Sequence, residues 1–196
     1  MPSLPPATQA LLLANVAVFF LERVIGGALF GPLALWPLGS GNFFPWQILS
    51  YSFLHGSFEH LFFNMLGLWM FGSELEHVWG QKRYVQFYTA SVLAAALTQL
   101  LVASLLGTNA PTIGASGGLF GLLLAFAMIF PNRIILLFFV IPMKAKWLVV
   151  LYGVLELYQG VYVMNDGVAH FAHLGGMLGG LLTIRYWRRQ PPFGRR

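Results

Sequence analysis

The sequence predicts an all-α membrane protein: a bundle of six transmembrane helices, the fourth of them short and starting inside the bilayer. Three observations carry that prediction. The 196-residue chain is 58% hydrophobic and only 9% charged, whereas a soluble domain carries about 25% charged residues. Its apolar residues gather in runs near the roughly 20 residues that a spanning helix needs. Its basic residues fall in alternate connections between those runs, the pattern that orients membrane helices.

The predicted spans lie near residues 8–25, 58–75, 83–106, 116–130, 146–163 and 168–187. The first, within MPSLPPATQALLLANVAVFFLERV, lacks the basic leader of a signal peptide and reads as a retained helix. No linker, low-complexity tract or fixed-period repeat interrupts the chain, so residues 1–190 form one expected domain and 191–196 a basic cytoplasmic tail. Between the fourth and fifth spans, IILLFFVIP is apolar but ends at a proline. It can extend the fourth helix, lie along the interface or fold back.

Lys82 and Arg83 lie between spans two and three, and Arg133, Lys144 and Lys146 between four and five. Arg185, Arg188, Arg189, Arg195 and Arg196 lie at or after the end of span six. The positive-inside rule therefore puts both termini in the cytoplasm. The loops near 26–57, 107–115 and 164–167 then face outward, and the first of them is rich in Gly, Pro and Trp. The net charge of +5 follows this topology and not a nucleic-acid partner. With no cysteine in the chain, disulfides and thiolate sites are excluded.

Polar residues in the spans meet at one depth. The fourth segment, 116–130, covers about 22 Å at 1.5 Å per residue, against a hydrocarbon core of about 30 Å. With Pro131 at the cytoplasmic edge, Ser116 starts its helix roughly 8 Å below the outer surface. Backbone N–H groups at such a start lack helical partners. His173 falls about 7–8 Å deep in the sixth segment and Asn64 about 9 Å deep in the second. His60 lies one turn above Asn64 on the same face. Small residues four apart, Gly117/Gly121, Gly175/Gly179 and Gly176/Gly180, allow close packing between segments four and six.

A serine becomes a nucleophile beside a base, and histidine is the usual one. Acyl transfer also needs donors aimed at the developing oxyanion. The Ser116 N–H, the Asn64 amide and a His60 ring N–H are the candidates. No acidic residue stands evidently behind His173: Asp166 lies in the adjacent loop and Glu156 in the middle of the fifth segment. A Ser–His dyad is therefore expected, not a triad. His170 shares a face with His173, but at about 3 Å it is too shallow for Ser116. With no cysteine or carboxylate expected beside these histidines, no metal site is expected.

HGSFEHLFFN in the second span, GASG before the fourth and AHLGGMLGG in the sixth, in that order, resemble the rhomboid family of intramembrane serine proteases. The resemblance runs from Trp46 onward and implies the six-span bacterial form, sited in the inner membrane. It implies Ser116 as nucleophile and His173 as base, with His60, Asn64 and the Ser116 N–H forming the oxyanion hole. It places Phe120 against the catalytic imidazole. Gly114 and Gly117 belong to the serine motif, and Gly176 and Gly180 to the sixth-span packing. Glu76 matches a structural glutamate, and Gln47 stands where the family has arginine. The implied substrates are single-span or polytopic membrane proteins, with no cofactor and no nucleic acid. Two alternatives are a non-catalytic rhomboid-like protein that binds transmembrane helices, and a small transporter lined by His60, His170 and His173.

Overall fold

The computed structural model describes residues 4–137, 140–163 and 168–188. Asp166 and the expected tail at 191–196 lie outside the described residues. The described chain is mostly helical. Helix α1 (Pro6–Val24) leads into a first loop containing α2 (Phe30–Leu33), a 3-10 turn at Leu38–Ser40, α3 (Gln47–Ser50) and a second 3-10 turn at Tyr51–Phe53. Helix α4 (Phe58–Gly67) passes through a π-helical stretch, Leu68–Gly72, into α5 (Ser73–Trp79), and α6 spans Gln81–Leu106. Helix α7 (Ser116–Ile129), strands β1 (Ile134–Leu137) and β2 (Ile141–Lys144), α8 (Ala145–Tyr162) and α9 (His170–Arg188) complete it.

Each expected span has a helical counterpart, with shifted ends. By length and composition, α1 and α6 are long and apolar enough to cross a membrane. The second segment, expected over 58–75, continues to Trp79. Ser57 caps it by accepting from the His60 N–H at 3.1 Å, and Gly80 ends it at a positive φ of +76° that glycine adopts without strain. Helix α7 has 14 residues. It stops at Phe130, whose position before Pro131 disfavours helical backbone.

Of the three readings of the segment after α7, the fold-back is the one observed. Strands β1 and β2 pair antiparallel, with Ile134 opposite Lys144 and Leu137 opposite Ile141. A proline inside β2 is tolerable because both strands are edges.

Helices α6, α7 and α9 pack most extensively on one another, and glycine permits it. A Cβ on Gly176 would collide with the Gly117 carbonyl, and one on Gly180 would lie 3.3 Å from the Gly121 backbone. The expected backbone-to-backbone approach of α7 and α9 is thus present, and it fixes the spacing between the two helices that carry Ser116 and His173.

Two buried polar side chains tie the periphery to this centre. Glu76 accepts from the Ala7 N–H at 2.9 Å, the Thr8 N–H at 2.7 Å and the Thr8 hydroxyl at 2.8 Å. A carboxylate there satisfies donors that a helix start leaves unpaired and complements its dipole. Gln47, fully buried, does the same for the first loop. Its Oε1 accepts from Phe44 N–H at 3.1 Å and Trp36 N–H at 3.3 Å, and its Nε2 donates to the Asn42 carbonyl at 3.0 Å. An amide both donates and accepts, which the loop's mixed backbone groups require and a guanidinium cannot supply.

Candidate active site

Helix α7 begins at Ser116 itself. The chain reaches it through Gly114, whose φ of +119° is open to glycine and strained for other residues. A Cβ at Gly114 would also lie 2.8 Å from the His60 ring. Two ties hold this approach to the first loop. Gly114 N–H donates to the Tyr51 carbonyl at 2.9 Å, and Leu35 and Thr112 exchange backbone bonds, both at 2.9 Å.

From that start, Ser116 Oγ lies 2.7 Å from Nε2 of His173. The His173 ring stacks on Phe120 with centroids 4.2 Å apart and planes 4° from parallel. The two groups open onto a cavity of about 270 Å³ lined also by Tyr51, His60, Gly114, Gly117 and Ala172. Of the residues named from sequence, Ser116, His173, His60, Gly114 and Gly117 meet at this cavity, and Phe120 backs the imidazole. Gly176 and Gly180 lie behind, at the α7–α9 contact. Asn64 is buried next to this group, but it is not among the cavity's lining residues. Its Nδ2 donates to the His60 carbonyl one turn earlier, at 2.8 Å.

One expectation is corrected. Sequence reasoning found no acid behind His173, yet α8 brings Glu156 there. Glu156 Oε2 lies 2.6 Å from His170 Nδ1 and 2.9 Å from His173 Nδ1. The His170 contact is a hydrogen bond. The His173 contact is at ion-pair distance, but the ring N–H points off the oxygen, so Nδ1 lacks an aligned partner. The ground for dismissing a metal falls as well, since the donor atoms of Glu156, His170 and His173 lie within 4.8 Å of one another. The 2.6 Å separation at His170 is that of a charge-assisted hydrogen bond.

His55 is a second residue that sequence reasoning passed over. It lies in the loop before α4, 4.9 Å from the His60 ring centroid in an edge-on contact, with both ring nitrogens buried and unpartnered among the described residues. Burial, reinforced by His60, lowers its pKa to about 4. The HGSFEH spacing was its available signal: the chain turns at Gly56 and Ser57, which returns His55 to the first turn of α4.

Comparison with known proteins shows the family. The family model described as Rhomboid domain matches residues 43–190. Rhomboid protein 1, mitochondrial, of Saccharomyces cerevisiae is 38% identical over 69% of this chain and 40% of its own length. Rhomboid protease GluP of Bacillus subtilis is 29% identical over 91% of this chain and 34% of its own. Rhomboid protease GlpG of Klebsiella pneumoniae is 27% identical over 90% of this chain and 61% of its own. The chain thus spans between about a third and three-fifths of the length of these relatives.

Proposed function

Because the chain belongs to the rhomboid family of integral membrane proteins, we propose that it is a serine endopeptidase cleaving peptide bonds in or beside transmembrane helices of other membrane proteins. The observation that carries this reading is the 2.7 Å contact between Ser116 Oγ and His173 Nε2 at the wall of a cavity that His60 also lines. A serine bonded to an imidazole that another group holds in place is the pattern of an activated nucleophile.

In the proposed reaction Ser116 Oγ attacks the scissile carbonyl while His173 Nε2 takes its proton. The imidazolium then protonates the leaving amine as the C–N bond breaks. Water, deprotonated by His173, hydrolyses the acyl-enzyme and restores the Ser116 hydroxyl. In this reading the oxyanion is met by the Ser116 N–H, the His60 ring and the second N–H of the Asn64 amide, whose first donates to the His60 carbonyl. No cofactor enters these steps. Phe120 keeps the imidazole in one plane.

The proposed setting is a six-span domain over residues 1–190 with cytoplasmic termini in a bacterial inner membrane. The cavity opens to the outer face. At 14 residues, α7 covers only about 21 Å, which leaves Ser116 below the outer surface and reachable by water from above. Single-span or polytopic substrates enter from the lipid and unwind locally to expose a carbonyl.

The test is cleavage of a single-span substrate together with labelling by a fluorophosphonate. Wild type should cleave and be labelled on Ser116, while Ser116→Ala and His173→Ala should do neither yet insert and fold. Cleavage by either variant would refute the assignment. A helix-binding or transporting relative would leave Ser116 unlabelled.

A further inference from the structure

Helix α8 reads AKWLVVLYGVLELYQGVY and carries a single acidic residue, Glu156. An ionisable side chain in an apolar helix is costly to bury unless something answers it. Glu156 is only 7% exposed, and the side chains that meet it are His170 at 5% and His173 at 9%. His170 and His173 are three apart on α9, so they share a face. Their rings stand 88° to each other, and both Nδ1 atoms converge on one carboxylate oxygen.

From this convergence we propose that Glu156 is the positioning residue for the His173 base, with His170 clamping the carboxylate. The inference rests on the proteolytic reading above and adds a third member to its Ser–His pair. An Nδ1–H directed at Glu156 leaves the Nε2 lone pair facing Ser116, the tautomer a general base needs. Phe120 fixes the ring's plane, and Glu156 fixes its rotation within that plane. The 2.9 Å contact is out of line, and catalytic hydrogen bonds commonly align only in the substrate complex.

Protons balance along this relay. As the Ser116 Oγ–carbonyl bond forms, the hydroxyl proton moves to Nε2 and the new positive charge is shared toward Glu156 through Nδ1–H, which stays on its nitrogen. The Nε2 proton leaves with the amine. One proton from water replaces it while the hydroxyl attacks the acyl carbon, and that proton then returns to Ser116 Oγ. Glu156 remains ionised throughout.

The experiment compares wild type, Glu156→Gln and Glu156→Asp for kcat, KM, fluorophosphonate labelling rate and thermal unfolding in detergent. Gln keeps the size and an acceptor but not the charge, and Asp keeps the charge on a shorter arm. Glu156→Gln should lose at least about tenfold in kcat and labelling rate with KM within about twofold, a fraction of what general-base catalysis contributes. Glu156→Asp should recover part of it. Unchanged kcat in Glu156→Gln, or a loss confined to KM or shared equally by Asp, overturns the proposal. If Glu156→Gln does not fold, 15N spectra of histidine-labelled wild type decide: the proton on His173 Nδ1 supports the proposal and the proton on Nε2 overturns it. Wild type that neither cleaves nor labels would refute the proteolytic reading, and this inference with it. Wild type that does both, beside an equally active Glu156→Gln, refutes this inference alone.

Discussion

Burial holds the His55 imidazole at a pKa of about 4, against 6.5 for the free group, with His60 reinforcing the shift. The unfolded chain therefore binds a proton that the folded one refuses. The stability from keeping His55 neutral is fully present above about pH 6.5 and is lost as pH falls towards about 4. Acid unfolding followed in detergent should show that loss, and His55→Leu should remove its share of it. At His60 the expectation concerns rate. If its ring N–H meets the oxyanion, His60→Ala should lower kcat by about 10²–10³-fold. Asn64→Ala should cost less, because the Asn64 amide donates to its own helix. Steady-state kinetics on one substrate would separate the two.

Among the elements, α1 depends on a partner 68 residues away in sequence. Glu76→Ala would strip three donors of their acceptor and should cost about 1.5–3 kcal/mol, the range for hydrogen bonds to a charged group. Reversible unfolding would measure it, and an unchanged midpoint would mean water replaces the carboxylate. Much of this was readable beforehand. Ser116 and His173 stood out because a serine motif and a histidine fell at equal depth on glycine-bearing helices, and segment lengths alone supply depth. Glu156 escaped because depth says nothing about rotation. Helix α8 is apolar around most of its circumference, so no stripe marked the side turned to α9. The β1–β2 hairpin escaped for a related reason: a short apolar run has no period long enough to tell a strand from a helix. The π stretch at Leu68–Gly72 left no sequence mark that we can identify.

Across the whole molecule, the spacing between Ser116 and His173 depends on an absent side chain. At Gly176 a methyl group would meet backbone of α7, not a side chain able to swing away. Gly176→Ala should therefore lower stability by about 1–3 kcal/mol, the usual cost of overpacking. It should also slow fluorophosphonate labelling of Ser116 more than the stability loss alone explains. A normal labelling rate in a destabilised Gly176→Ala protein would show that the Ser116–His173 distance is set elsewhere.

The 57-residue separation between Ser116 and His173 also bears on biosynthesis. As the chain leaves the ribosome, the serine is laid down long before the helix that carries its proposed base, and Glu156 emerges between them. A nascent chain ending before α9 holds an inert hydroxyl. On the proposed reading, chemistry is withheld until α9 has entered the bundle, so a half-made chain cannot attack its neighbours at the insertion machinery.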